Sequence, residues 1–195
     1  GDIRDFACVK AAMRNCDIVF HLAALIAIPY SYLAPNSYVQ TNVQGSLNVV
    51  QSARDLNVSK VVHTSTSEVY GTAQYVPINE KHPIIGQSPY SASKIGADQI
   101  ALSFWRSFET PVTVLRPFNT YGPRMLPDDG RVVSNFIVQA LKGEPLTIFG
   151  DGSQTRSFCY IDDLIIGLIK SLEIDFSYPV NLGNDNEISL KSLSL

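Results

Sequence analysis

Short apolar segments alternate with longer segments of helical spacing along the chain, and this alternation limits the possible folds more than any other feature. The short segments are typical of buried strands, and they lie at residues 17–24, 60–66, 111–117 and 145–150. Helices are predicted at residues 38–57, 91–108, 134–142 and 160–173. Strands separated by helices pair in parallel through right-handed crossovers. The sequence therefore predicts an α/β fold, a doubly wound parallel sheet with helices on both faces.

The pattern changes after about residue 119, where Gly, Pro and Asp become more frequent. We place a domain boundary there, with a sheet domain at residues 1–118 and a smaller lobe at residues 119–195. Hydrophobic residues make up 45% of the chain and charged residues 17%, which is enough apolar material for a core.

The charge and the polar residues argue against several classes of protein. The net charge is −3 and no basic run occurs, so nucleic-acid binding is not expected. No apolar run reaches the roughly 20 residues of a membrane span, and no signal peptide opens the chain, so we expect a cytoplasmic protein that does not bind membranes. No His or Cys cluster has metal-ligand spacing, so we expect no metal.

Polar residues follow three of the predicted strands at the point where each strand ends. They are His21, the segment from Ser65 to Glu68, and the segment from Arg116 to Asn119. In open parallel sheets, ligands bind beyond the carboxyl ends of the strands. We therefore expect a ligand site at this edge.

Tyr90 and Lys94 form the strongest local signal for chemistry. Residues four apart on a helix lie on the same face, and an ammonium close to a phenol lowers the phenol's pKa. Such a tyrosine can accept a proton from a hydroxyl group while a hydride leaves the carbon. Upstream, Ser65 and Thr66 could bond to a substrate hydroxyl, and Glu68 could act as a base.

Seven motifs in the same order resemble the extended short-chain dehydrogenase/reductase family, which contains nucleotide-sugar epimerases, dehydratases and decarboxylases. The resemblance covers essentially the whole chain and implies a Rossmann-like domain that binds NAD. The motifs are Gly1-Asp2-Ile3-Arg4-Asp5, His21-Leu22-Ala23-Ala24, Thr41-Asn42, the Thr66 turn, Tyr90 with Lys94, Arg116-Pro117-Phe118-Asn119, and Gly150-Asp151-Gly152-Ser153-Gln154-Thr155-Arg156.

The resemblance implies a role for individual residues. Tyr90 would be the catalytic base, assisted by Lys94 and by Thr66, Ser67 and Glu68 in the turn. The substrate, a nucleotide sugar, would be bound by Asn119, Arg131 and Arg156. The residues implied to bind NAD are Asp2, Ile3, His21, Leu22, Ala23, Ala24, Thr64, Ser65, Tyr90, Lys94 and Pro117.

One departure concerns the family's first strand, Gly-x-x-Gly-x-x-Gly turn and helix, which receives the pyrophosphate of the cofactor. No such turn occurs in the sequence, and the substrate lobe is shorter than the family's. We therefore expect the chain to be a fragment that begins after the first βαβ portion. The complete protein is expected to form a homodimer through the helices at residues 38–57 and 91–108.

The sequence leaves several reactions open, and it favours that of a 4,6-dehydratase. Oxidation at C4 of the sugar is common to all of them. Glu68 suits the base that a dehydratase needs at C5, whereas Ser67 is a poor acid. Residues 24–108 resemble dehydratases, and residues 119–160 resemble UDP-glucuronate decarboxylases. A C4 epimerase and a non-catalytic remnant that binds nucleotide sugars stay open.

Overall fold

A parallel four-stranded sheet organises the first part of the molecule. The computed structural model describes residues 1–127, 130–175 and 178–195. The sheet has the order β1-β2-β3-β7, and all three strand pairs are parallel. Its strands are β1 (Ile18–His21), β2 (Lys60–Thr64), β3 (Val112–Pro117) and β7 (Val180–Leu182). The predicted α/β class with a parallel, Rossmann-like sheet is confirmed.

Helices separate these strands in the sequence. They are α1 (Phe6–Ala12), α2 (Ile28–Leu33), α3 (Pro35–Tyr38), a π-helical turn (Val39–Gln44), α4 (Gly45–Leu56), a 3₁₀ turn (Ser67–Tyr70), α5 (Pro89–Phe108), α6 (Val132–Lys142), α7 (Ile161–Lys170), a second 3₁₀ turn (Ser171–Glu173) and α8 (Leu190–Leu193). The helix predicted at residues 38–57 is thus divided between α3, the π-helical turn and α4.

Both faces of the sheet are covered at its centre. Val61, Val62 and His63 are consecutive in β2 and all are fully buried, although their side chains point alternately to opposite faces. On one face, α1, α4 and α5 enclose a core with Val61 and Val114. The turn Ser171–Glu173 lies against β2 as well. β1 is an edge strand, with Ile18 and Phe20 more than 40% exposed.

The predicted strand at residues 145–150 is wrong. These residues form no strand in the structure, and Phe149 is 75% exposed. The side chain of Gln139 accepts a hydrogen bond from the backbone nitrogen of Thr147, at 3.0 Å, and donates one to its hydroxyl. A side chain therefore takes the position that a neighbouring strand would need. The fourth strand of the sheet is instead β7, which the sequence did not predict.

The chain divides into two compact units. The first contains Gly1–Pro117 and Leu168–Leu182, and thus includes β7. The second contains Phe118–Gly167 and Gly183–Leu195. Its strands are β4 (Thr120–Tyr121), β5 (Thr155–Ser157), β6 (Cys159–Tyr160) and β8 (Glu187–Ser189); β4 pairs with β6 in parallel, and β5 pairs with β8 antiparallel. The domain boundary between residues 118 and 119 stays a prediction.

Within the second unit, the backbone of two glycines lies close to a neighbouring side chain. A Cβ atom added at Gly122 would lie 2.4 Å from Ile161, and one added at Gly183 would lie 3.0 Å from Phe118.

Among the described residues, no helix has the length and apolar character needed to cross a membrane.

Candidate active site

Three parallel strands bring their carboxyl ends to one edge of the sheet. In the strand register, His21 is opposite His63, and Thr64 is opposite Leu115. The residues that follow these strands therefore begin at the same edge, which is the edge where parallel sheets bind ligands. Of the residues singled out in the sequence, this places His21 to Ala24, Thr64 to Glu68, and Pro117 at this edge.

Helix α5 supplies Tyr90 and Lys94. Ser88 caps the helix by accepting a hydrogen bond from the Ser91 backbone nitrogen at 3.1 Å, and the Ser91 side chain returns the interaction. Pro89 occupies the first helical position, where a missing N–H is tolerated. Tyr90 is 6% exposed, and its ring packs against the Tyr38 ring in a T-shaped arrangement, with the ring centroids 6.2 Å apart. The cap and the ring contact fix the first turn of α5.

Lys94 lies one turn further along α5 and is 3% exposed. Its Nζ donates a hydrogen bond to the carbonyl oxygen of Thr64 at 2.7 Å, which ties the helix to the end of β2. Burial lowers the pKa of Lys94 to about 8, against an opposing attraction from Asp98. An ammonium has three N–H donors, so two are available for other partners.

The segment after β2 carries the hydroxyl groups and the carboxylate of the candidate site. Thr66 Oγ1 accepts a hydrogen bond from the Glu68 backbone nitrogen at 3.2 Å and so starts the 3₁₀ turn. Glu68 is exposed and Ser67 is half-buried. Thr64 Oγ1 and Ser65 Oγ are buried without a hydrogen-bond partner among the described residues. Buried hydroxyls of this kind are free to bind a polar ligand.

The segment after β1 is held by a buried asparagine. Asn42 Oδ1 accepts a hydrogen bond from the Leu25 backbone nitrogen at 2.8 Å, and Asn42 Nδ2 donates to the Leu25 carbonyl and to Ser93 Oγ. Ser93 in turn donates to the carbonyl of Tyr90 at 2.7 Å. Asn42 therefore links this segment to the first turn of α5, which carries Tyr90. Leu22, before it, is 60% exposed.

The start of the chain reaches the same region through α4. Asn48 donates a hydrogen bond to the Ile3 carbonyl at 2.9 Å, while Ser46, two residues earlier, lies 2.9 Å from Nε2 of His21. Asp2 is exposed and forms an ion pair with Arg4, which lowers the pKa of its carboxyl to about 2. Ile3 thus lies near the site through α4, whereas Asp2 contacts Arg4.

A buried charged cluster behind Lys94 was not predicted from the sequence. Asp98 Oδ2 accepts a hydrogen bond from Arg116 Nε at 3.2 Å, and Asp98 Oδ1 lies 3.4 Å from Nε2 of His63. Arg116 also donates to the Tyr70 hydroxyl at 2.9 Å, which itself donates to Asn181 at 2.6 Å. All of these partners come from different elements. Arg116 belongs to a motif noted in the sequence, and Asp98 is a charged residue on the same face of α5 as Lys94, but no sequence pattern pairs the two.

The three residues predicted to bind substrate lie in the second unit at three positions: Asn119 is between β3 and β4, Arg131 is at the start of α6, and Arg156 is in β5. Asn119 donates a hydrogen bond to the Ser157 carbonyl at 3.1 Å, and Arg156, next to Ser157 in β5, is exposed and donates to the Thr155 carbonyl. The structure therefore brings Asn119 and β5 together. Arg131 occupies the N-cap position of α6 and is exposed.

Comparison with known proteins gives consistent matches over nearly the whole chain. The model of the NAD dependent epimerase/dehydratase family matches residues 1–183. UDP-glucuronic acid decarboxylase 1 of Arabidopsis thaliana is 39% identical over 191 residues, which cover 95% of this chain and 44% of that protein. The chain spans about half the length of the curated relatives it matches.

Two solved structures show the similarity of fold. A UDP-N-acetylglucosamine 4-epimerase from Methanobrevibacter ruminantium M1 has a TM-score of 0.95 and 33% identity, and the match covers 100% of this chain and 63% of that one. A dTDP-glucose 4,6-dehydratase from Streptomyces venezuelae, solved with NAD, has a TM-score of 0.90 and 32% identity, and the match covers 100% of this chain and 60% of that one.

Proposed function

The chain belongs to the NAD dependent epimerase/dehydratase family, and we propose that it oxidises a nucleotide sugar at C4 of the sugar, with Tyr90 as the base. The observation that carries this proposal is the buried ammonium of Lys94, one helical turn after Tyr90 and bonded to the end of β2. A positive charge in a buried site acts strongly on a neighbouring phenol because little water screens it.

The residues at the sheet edge fit the nicotinamide and ribose end of NAD. Lys94 has N–H groups available, and Thr64 Oγ1 and Ser65 Oγ are buried without partners among the described residues. Such groups can bond to ribose hydroxyls. The exposed Leu22 and the half-buried Pro117 offer apolar surface for the nicotinamide ring. When bound, NAD supplies a hydride acceptor.

The remaining cofactor contacts are proposals from the family resemblance. The segment His21 to Ala24 would follow the diphosphate and ribose, and Asp2 with Ile3 would lie against the adenine. The link from Ile3 through Asn48 and α4 to His21 supports a continuous path between these two groups.

The chemistry of the chain's own residues follows from their protonation. Lys94 favours the phenolate of Tyr90, which accepts the proton of the C4 hydroxyl. Thr66, at the start of the 3₁₀ turn, would hold that hydroxyl by a hydrogen bond. Because Tyr90 and Lys94 are both buried, bulk water competes little for the proton. Asn119, Arg131 and Arg156 would bind the nucleotide part of the substrate.

For the step after oxidation we favour decarboxylation of UDP-glucuronate over 4,6-dehydration. A C4 ketone next to the C5 carboxylate makes a β-keto acid, which loses carbon dioxide with little further help. Ser67 cannot supply the acid that a dehydratase uses to expel the C6 hydroxyl. Curated relatives named UDP-glucuronic acid decarboxylase, at 39–41% identity, support this choice. It differs from the dehydratase favoured by the sequence motifs alone.

Dehydration stays a second candidate because of Glu68. Its carboxylate is exposed on the turn that begins at Thr66, where it could remove the C5 proton. A structure of a dTDP-glucose 4,6-dehydratase at 32% identity supports the same possibility. A homodimer and a cytoplasmic location also stay proposals.

Replacing Tyr90 by Phe tests the proposal. We expect product formation from a nucleotide sugar to fall by a factor of about 100 to 10,000, because a positioned base contributes about that much. Product mass would be measured with NAD and UDP-glucuronate, UDP-N-acetylglucosamine or dTDP-glucose, supplied separately. Tyr75→Phe, which removes an exposed hydroxyl, is the matched control.

Each product identifies one reaction. Loss of carbon dioxide from UDP-glucuronate would support decarboxylation, and loss of water from a hexose substrate would support dehydration. Full activity in Tyr90→Phe would refute the role of Tyr90, and no NADH or product from any of the substrates would refute the proposed oxidation.

A further inference from the structure

Asp98 occupies an unusual position in the first unit. It is 0% exposed and lies one helical turn after Lys94 on α5, so the two side chains share the buried face of the helix. Among the described residues, Asp98 is the only buried carboxylate. A buried carboxylate costs folding free energy unless a partner offsets its charge.

Arg116 offsets that charge only in part. Its Nε donates to Asp98 Oδ2, whereas Oδ1 has no hydrogen-bond partner among the described residues and lies 3.4 Å from His63. Burial lowers the pKa of His63, although Asp98 opposes this, so its imidazole is neutral at pH 7 and adds no positive charge beside Oδ1. The negative charge on this side of the carboxylate therefore acts on other buried groups.

The groups around Lys94 can be listed by element. β1 contributes His21 and β2 contributes His63, and burial lowers the pKa of both, so both are uncharged at pH 7. β3 contributes the positive Arg116, and the 3₁₀ turn contributes the neutral Tyr70 and the exposed Glu68. α5 itself contributes Tyr90 and Asp98. Among the described residues of this set, Asp98 is the one buried negative charge, and it is therefore the group that can stabilise the Lys94 ammonium.

We propose that Asp98 is a positioning residue that keeps the ammonium of Lys94 charged beside Tyr90. Its importance for turnover rests on the proposed function, in which Lys94 favours the phenolate of Tyr90. Without Asp98, burial would act alone on Lys94, and Lys94 would lose its proton closer to neutral pH. The basic limb of the pH–rate profile would then move to lower pH.

The test is a direct titration of Lys94 in the complete protein without substrate. Lysine labelled with ¹³C at Cε reports ionisation through its chemical shift, and loss of one signal in Lys94→Met assigns it. The pKa of Lys94 in the unchanged protein is about 8. In Asp98→Asn we expect the midpoint to fall by about one unit, the size of the effect of an opposite charge at close range.

Two further variants keep the test decisive. Asp98→Asn leaves Arg116 buried without its partner and could fail to fold, so the double variant Asp98→Asn/Arg116→Met removes both charges together. We expect its midpoint to fall as well, by less. Asp55→Asn removes a surface carboxylate paired with Lys10 and should leave the Lys94 midpoint unchanged.

The outcomes separate this inference from the proposed function. An unchanged midpoint in the Asp98 variants that fold would overturn the inference, even if the protein oxidises a nucleotide sugar. A lowered midpoint would support the role of Asp98 even if the protein oxidises no nucleotide sugar. The absence of oxidation would refute only the proposed function. For an active enzyme, a parallel shift of the basic limb of kcat/KM would extend the role of Asp98 to turnover.

Discussion

Replacing Lys94 by Met is expected to stabilise the fold by about 2 kcal/mol at pH 7. Burial lowers the pKa of Lys94 from 10.5 to about 8, and at about 1.4 kcal/mol per unit the charged form destabilises the folded state by about 3 kcal/mol. The Thr64 carbonyl loses its hydrogen bond in the variant, which costs about 1 kcal/mol. Met has a similar length and no charge, so it fits the buried site.

The stabilisation depends on pH in a defined direction. Below pH 8 the lysine is protonated in both the folded and unfolded states, and the cost of burying its charge is fully present. Between pH 8 and 10.5 the unfolded state binds more protons, so the unchanged protein gains stability as pH rises. The advantage of Lys94→Met should therefore shrink over this interval and disappear by its upper end.

The assay is urea unfolding followed by the fluorescence of Trp105, the single tryptophan of the chain. It would be repeated between pH 7 and 10.5 with Lys94→Met and with Lys81→Met, which changes an exposed lysine. The control should change stability little. A Lys94→Met variant that is less stable than the unchanged protein at pH 7 would show that burying the Lys94 charge does not destabilise the folded state.

Three other predictions concern His63, Asn42 and Glu68. Because burial lowers the pKa of His63, stability should fall as pH drops below about 6.5, the value in the unfolded state; His63→Gln should weaken that dependence in urea unfolding between pH 7 and 5, and equal slopes would contradict it. Asn42→Ala removes the two hydrogen bonds to Leu25 and should destabilise the protein by about 2 kcal/mol, with faster amide exchange at Leu25. Unchanged amide exchange would show that Asn42 does not hold the segment after β1. Glu68→Gln should leave product formation from UDP-glucuronate within about ten-fold of normal if decarboxylation is the reaction, because truncating a true acid or base costs about 100-fold or more; loss of the decarboxylated product, measured by mass, would show that Glu68 acts as an acid or base in that reaction.

The elements that the sequence predicted well are those whose signal is local. The β-branched residues of β2 and the apolar face of α5 describe their surroundings without reference to any other segment. β7 has three residues and depends on pairing with β3, so no local pattern distinguishes it from a loop. Residues 145–150 have strand-like composition, yet Gln139 binds the backbone there.

The same distinction applies to the candidate site. Tyr90 and Lys94 are four apart on one helix, so their proximity follows from helical geometry alone. The pairing of Asp98 with Arg116 joins α5 to β3, and the contact of Tyr70 with Asn181 spans 111 residues of sequence. Such contacts depend on the tertiary fold. The roles of the predicted site residues stay predictions. The structure does place most of the residues predicted to bind NAD at one edge of the sheet.

The π-helical turn Val39–Gln44 has a consequence for comparing sequences of related proteins. A π-helical turn holds one residue more than the equivalent α-helical turn, and one residue rotates a helix by about 100°. A homologue that lacks this residue would turn Tyr38 away from Tyr90, if Asn42 kept its place, while the helix stayed continuous. An alignment gap of one position in this segment is therefore not a neutral length difference, and it should coincide with a different residue at position 38 or at position 90.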